Sequence, residues 1–320
     1  MKSLVLKNSS YEHLEKAFGE WLDILGYCPQ SVDHMPTIIR EFLHYLEQQN
    51  CHQITQLKQI HYKAYFNHIS SRGNQRRGGA LSNNYVNKHI QAIEKFLEFL
   101  HHKGVQEIPA SGIRQLKTQR AAISILSTEE IQELYKLTEQ QSNTSTSEPD
   151  YKREAISARD RVILTVFYSC GLRRNEGANL LLNNINFDTR LLHVRKGKNY
   201  KERFVPFSKT NAKYLEEYIY DHRPNLVKSK QESSLFIAHN SGKKMTGGAL
   251  YIRLKLLLQR SENTALQEKN IGLHSLRHSI ATHLLQAGME LHKIQKFLGH
   301  SSLESTQIYT HLIKQENEHI

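Results

Sequence analysis

A chain of 320 residues with 43 Lys and Arg against 31 Asp and Glu carries a formal charge of +12, which suits a polyanionic partner and exceeds the length of one ordinary domain. No apolar run approaches a membrane span, mean hydropathy is −0.58, and the opening MKSLVLKNSSYEH lacks the apolar stretch and cleavage site of a secretory signal, so a cytoplasmic protein is expected. Cys28, Cys51 and Cys170 are odd in number and far apart, which argues against a disulfide framework and against a zinc site.

Residues 1–104 read as a helical domain. Leu14, Phe18, Leu22 and Leu25 form one apolar stripe, broken by Gly26 and Pro29. Ile38, Ile39, Phe42, Leu43 and Leu46 form a second, and Ile60, Ala64 and Phe66 a weaker third. Ser82 is placed to cap a longer helix that turns Val86, Ile90, Ile93, Phe96, Leu97 and Leu100 inward and stops at Gly104. Before that helix lies SSRGNQRRGGALS, a Gly-rich loop with Arg72, Arg76 and Arg77, followed by Asn83, Asn84, Asn87 and Lys88 at the helix start. Basic and short polar groups at a helix N-terminus suit a DNA backbone, although a charged loop is more often merely solvated.

Residues 105–125 contain Pro109, Gly112 and several basic residues without periodicity, and are expected to be a linker. Ser127 followed by Glu130 is a capping box that opens a second domain, 126–320. Glu139–Tyr151 is polar and expected as a loop. An apolar helix over 159–170 ends at Gly171, and Arg173 opens the next helix with Glu176 three residues on, in reach of a guanidinium or a nearby amide. Residues 186–207 read as a small antiparallel sheet, with a turn at 188–190, strands at 191–195 and 203–206, and a turn at 197–200 where Arg195, Lys196, Lys198, Lys201 and Arg203 gather. Further helices are expected over 212–222 and 247–260, with a short buried strand at 236–238. The fold class is therefore mainly α with a small antiparallel β-sheet.

Three short helices follow. The first carries Leu276, Ile280 and Leu284 and stops at Gly288; the second carries Ile294, Phe297 and Leu298 and closes at Gly299; Ser301 and Glu304 cap the third. His274, Arg277, His300 and Tyr309 fall at or near the edges of these segments. Arg is a planar, permanently charged fork that matches phosphate oxygens. His moves a proton near neutral pH, and Tyr is a nucleophile once its proton is removed. The combination points to chemistry on a phosphodiester, with side-chain charge doing the electrostatic work and no metal site or cofactor expected. His274 and His278 stand four apart, as in some metal hydrolases, but no HExxH motif or carboxylate cluster accompanies them; His278 and His283 read as packing or capping histidines.

HSLRH at 274–278, LGH at 298–300 and Tyr309 nine residues after His300 together resemble the tyrosine recombinase (phage integrase) family, of the Xer-like type. GLRRNEGANL at 171–180 resembles the box with that family's first catalytic Arg, and GKNYKERFVPF at 197–207 resembles its β-hairpin with the catalytic Lys. The resemblance covers roughly residues 126–312. It implies a two-domain DNA clamp, a helical core-binding domain with a mixed α/β catalytic domain. It also implies DNA cleavage through a 3′-phosphotyrosyl link, with Tyr309 as nucleophile, Arg173 and Arg277 on the non-bridging oxygens, His274 as proton acceptor and His300 as hydrogen-bond donor. A gapless match on KER and VPF makes Lys198 the general acid, with Lys196 and Lys201 as rivals that otherwise contact DNA. Glu176 acts through its neighbours. The resemblance further implies double-stranded DNA at a specific site as partner, a homotetramer on two duplexes and, in some members, an accessory protein. Alternatives are a type IB topoisomerase-like enzyme that reseals the original strand, and a DNA-binding protein with a decayed site.

Overall fold

The computed structural model describes residues 4–74, 78–118, 123–140, 149–195, 202–300 and Thr306. The chain divides into two compact units, residues 1–121 and 122–320.

The first unit is helical: α1 (Ser9–Ile24), α2 (Pro29–Gln48), α3 (Gln59–Ser71) and α4 (Asn83–His102). The Asn8 side chain accepts from the Ser10 amide and starts α1; Gly26, at φ +78°, turns the chain, and Pro29 opens α2, where its missing N–H is no loss. The Ser82 hydroxyl accepts from the Tyr85 amide at the head of α4. Helix α4 turns Val86, Ile90, Ile93, Phe96, Leu97 and Leu100 inward as their spacing requires, and full burial of each contributes about 1.5–3 kcal/mol. Phe18 meets Phe96 edge-on at 5.3 Å between centroids, and Trp21 and Phe99 close the same cluster. The third stripe is corrected: α3 buries Tyr62, Tyr65 and Ile69, while Ile60 is 68% exposed. Residues 105–118 lie against this unit, with Ile108 buried and Val105, Ile113 and Leu116 packed on its core. Asn83 donates to the Lys117 carbonyl, and Asn87 exchanges two hydrogen bonds with Leu116, so both amides hold this segment.

The second unit opens with the Ser127–Glu130 capping box of α5 (Thr128–Glu139). Its centre is α6 (Asp150–Leu164), whose Arg159 is fully buried and donates to the Ile237 carbonyl at 2.9 Å. Helix α6 passes into a π-turn at Thr165–Ser169, and α7 (Arg174–Ala178) follows. Strands β1 (Ile185–Asn186), β2 (Leu191–Val194) and β3 (Arg203–Pro206) form an antiparallel sheet in that order, with His193 opposite Phe204. Then come α8 (Lys209–Glu216), continued as a second π-turn to His222, α9 (Gly247–Gln259), the unanticipated α10 (Thr264–Glu268), α11 (Leu273–Gln286) and α12 (Leu291–Leu298). The expected strand at 236–238 reduces to an isolated bridge between Ile237 and Lys244, although Phe236 and Ile237 are buried as expected. The Ser279 hydroxyl receives the Leu126 amide at 2.8 Å, which ties α11 to the start of the unit. Helix α11 also lies against the π-turn, and this contact brings the segments around 171 and 273 together.

Candidate active site

Two glycines set the geometry. Gly171, at φ +59°, ends the turn after the π-segment; a Cβ there would stand 3.0 Å from Leu298 and 3.1 Å from Phe297. Gly299, at φ +66°, closes α12; a Cβ there would stand 2.9 Å from the Arg203 side chain. Because neither carries a side chain, the end of α12 approaches the 171–173 segment closely. Backbone carbonyls then become the seats of three guanidiniums. Arg277, on α11, donates to Gly171 O (2.5 Å) and Leu298 O (2.8 Å). Arg173 donates to Gly299 O (2.9 Å), and Arg203, at the start of β3, to Phe297 O (3.0 Å).

Glu176 joins the three. Its carboxylate receives both terminal nitrogens of Arg203 (3.0 and 2.9 Å), Arg173 Nη1 (2.9 Å) and the Arg173 amide (2.8 Å), with Arg277 Nη1 at 3.9 Å. Burial alone would push this carboxyl up. The hydrogen bonds and charge of Arg203, reinforced by the amide and charge of Arg173, bring it down to about 2. Arg277 is 3% exposed and Arg203 8%, so the cluster keeps an excess of positive charge at low dielectric.

The histidines line this charge. His300 follows Gly299, and its Nδ1 lies 2.9 Å from the Thr306 hydroxyl; burial, and then Arg277 and Arg173, push the imidazole down to about 4. His274 stands on the first turn of α11, its outer side in solvent. Desolvation of its inner side, then the charges of Arg277, Arg174 and Arg173, hold it below the usual histidine value. His278 is likewise brought to about 4, by burial first and then by His274 and Arg277. Tyr168 Oη lies 2.9 Å from His283 Nδ1, and the two rings pack edge-on. Both candidate catalytic histidines are thus biased towards the neutral form. Among the described residues no group of three or more His, Cys, Asp or Glu side chains is placed to hold a metal ion.

The structure thus brings Arg173, Glu176, His274, Arg277 and His300 into one site. Lys196, Lys198, Lys201 and Tyr309 in this unit, and Arg76 and Arg77 in the first, lie outside the described residues. In the first unit Arg72 is paired with Glu41, and Lys88 is exposed on α4. Sequence reasoning passed over Arg203, which it counted only among the basic residues gathered at the hairpin. The two-residue alternation of β3 is the signal that finds it: Arg203 shares the inward face with Val205, while Phe204 points out and stacks on His193.

Two imidazoles biased towards neutrality beside guanidiniums that share one carboxylate make a site of net positive charge, suited to an anion. Residues 113–316 match the phage integrase family. The tyrosine recombinase XerC of Oceanobacillus iheyensis is 34% identical over 236 residues, 73% of this chain and 72% of that one. The XerC of Bacillus subtilis is 28% identical over 305 residues, 94% and 92% of the two chains. Among solved structures, the XerH site-specific recombinase bound to its difH substrate superposes with a TM-score of 0.68 at 20% identity, over 97% of this chain and 84% of that one. The Tn1549 transposon integrase in complex with transposon right end DNA gives 0.67 at 15% identity, over 92% and 94%. The chain belongs to the phage integrase family and is a tyrosine-type site-specific DNA recombinase. These relatives favour neither the relaxing topoisomerase nor the decayed binding protein.

Proposed function

We propose that the second unit cuts and rejoins DNA through Tyr309, with a scissile phosphate seated on Arg173 and Arg277. One observation carries this: the guanidiniums rest on backbone carbonyls and share a single carboxylate, so their charge is fixed in place without being cancelled. Such a site meets the phosphorane-like transition state already oriented, with little reorganisation left to do.

The steps follow from the side chains. The Tyr309 oxygen attacks phosphorus, the P–O5′ bond breaks, and a 3′-phosphotyrosine forms. His274, biased towards the neutral form, accepts the tyrosyl proton. With the Thr306 hydroxyl donating to Nδ1 of His300, Nε2 carries that ring's proton and donates to a non-bridging oxygen. Lys198 protonates the departing 5′ oxygen. A 5′-hydroxyl from a second duplex then reverses the steps and reseals the strand, the bond energy having been kept in the phosphotyrosine. Glu176 holds Arg173 in place.

DNA is the partner, and strand exchange between two duplexes requires several copies; we assign a homotetramer on DNA, in the cytoplasm, with room for an accessory protein. In the first unit Lys88, Arg76 and Arg77 are assigned to the DNA backbone. Arg72 contributes less, because Glu41 already neutralises it. Lys196 and Lys201 are likewise assigned to DNA contact.

Tyr309→Phe tests the chemistry. On a suicide duplex nicked next to the scissile phosphate, the parent protein should become covalently attached on a denaturing gel, and the Phe variant should bind the same duplex without a covalent band. A covalent band from Tyr309→Phe would remove Tyr309 from the role.

A further inference from the structure

Next to Arg173 stands a guanidinium that the recombination chemistry above does not use. Arg174 is exposed at the first position of α7 and makes no hydrogen bond or ion pair among the described residues. Its aliphatic stem is nevertheless confined. It crosses the first residue of α9, Gly247, so closely that a Cβ there would stand 2.8 Å from Arg174 Cγ and 3.1 Å from Cδ. Gly247 has helical rather than left-handed backbone, so the turn does not need a glycine; what the missing side chain provides is room for Arg174. One turn further along α9, Tyr251 lies against Gly272, the residue that starts α11 and precedes His274 by two. The start of α9 thus touches Arg174 directly and the start of α11 through Tyr251, and the Arg174 charge is felt at His274. Lys244, three residues before Gly247, bonds the Asn179 side chain at the end of α7 and adds a second positive charge on this side.

We propose that Arg174 binds a backbone phosphate next to the scissile one, and that Gly247 is a positioning residue whose lack of a side chain holds the Arg174 guanidinium in that position. An unpaired, exposed guanidinium on a constrained stem is a poor contributor to stability and a good anion ligand. Consecutive phosphates on one strand are about 6–7 Å apart, the reach of an Arg side chain from a neighbouring residue, so Arg173 and Arg174 take two phosphates in sequence. This inference rests on the DNA-cleaving reading above.

The test uses the full-length protein and a 40-base-pair duplex selected for binding from a random-sequence pool. Equilibrium binding is measured from 0.05 to 0.2 M KCl for the parent, Arg174→Ala, Arg174→Lys, Gly247→Ala and the Arg174→Ala/Gly247→Ala double variant. A lost phosphate contact lowers the slope of log K against log salt by about 0.9, so the parent should lose about 3.5-fold more affinity over this range than Arg174→Ala. Arg174→Lys should keep the parent slope. Gly247→Ala removes no charge, yet it should show the reduced slope, and in the Arg174→Ala background it should change nothing further. An unchanged slope in Arg174→Ala overturns the phosphate contact. A Gly247→Ala effect that persists without Arg174 overturns the coupling. A parent protein with no salt-dependent binding to any duplex overturns the DNA-cleaving reading itself, and this inference falls with it.

Discussion

At the scale of single residues, the proton for the departing strand decides which hairpin lysine matters. An expelled alkoxide needs that proton, whereas a thiolate leaves without one. Lys198→Ala should be slow on ordinary DNA and largely restored on a substrate with sulfur at the bridging 5′ position; Lys196→Ala and Lys201→Ala should weaken binding without selective rescue. Single-turnover cleavage of the two substrates reads this, and rescue of Lys201→Ala instead would shift the register of the hairpin by three residues. Arg173, Glu176, His274, Arg277 and His300 were legible because each sits inside a short motif whose spacing survives in one dimension. Arg203 was not, because a cationic side chain in a basic hairpin looks the same whether it faces DNA or a buried carboxylate. Only the inward turn of Val205 beside it separates the two.

At the scale of elements, Arg203 joins the β2–β3 hairpin to the rest of the site. It reaches Glu176 with two nitrogens and the end of α12 with the third, so the hairpin's root is pinned to the same carboxylate that holds Arg173. A lysine keeps the charge and loses the fork. Arg203→Lys should therefore lower cleavage by about tenfold to a hundredfold, the scale of a small misplacement of a catalytic group. It should be partly rescued by the bridging-sulfur substrate, because the loss lies in aiming Lys198. A defect of equal size on both substrates would mean that Arg203 supports only the fold. The helices themselves were mostly legible from caps and stripes: Ser82 and Ser127 cap where expected, and Gly26, Gly104 and Gly171 turn the chain at positive φ. Helix α3 was misread because its inward residues are Tyr62 and Tyr65, whose polar tips hide large apolar bodies from a pattern built on aliphatic spacing. The two π-turns left no mark in the periodicity, since each inserts one extra residue into an otherwise continuous helix.

At the scale of the whole molecule, buried imidazoles couple stability to acidity in each unit. His89 in α4 is fully buried, with Tyr65 at 3.0 Å on Nδ1, the Tyr85 ring beside it, and no partner on Nε2 among the described residues; burial, then Arg72 and His34, bring it from 6.5 to about 4. The folded state resists the proton that the unfolded chain accepts. The stabilisation is thus complete above pH 6.5 and is lost as pH falls from there to about 4, by on the order of 3 kcal/mol for His89. His278 and His300 act with the same sign in the second unit. Urea unfolding at pH 7 and pH 4.5 should show a smaller loss for His89→Leu than for the parent, and an equal loss would remove His89 as a source of the acid sensitivity.

The carbonyl seats have a consequence for how the protein is made. Arg173 leaves the ribosome long before its acceptor on Gly299 exists, and Arg277 waits for Leu298. Until residue 299 has been synthesised, Arg173 is held by Glu176 without its seat on Gly299, and Arg277 has Gly171 without Leu298. A nascent recombinase of this construction is unable to hold a strand in the cleaving position before the end of α12 has been made, because the two guanidiniums are fully oriented only by that segment.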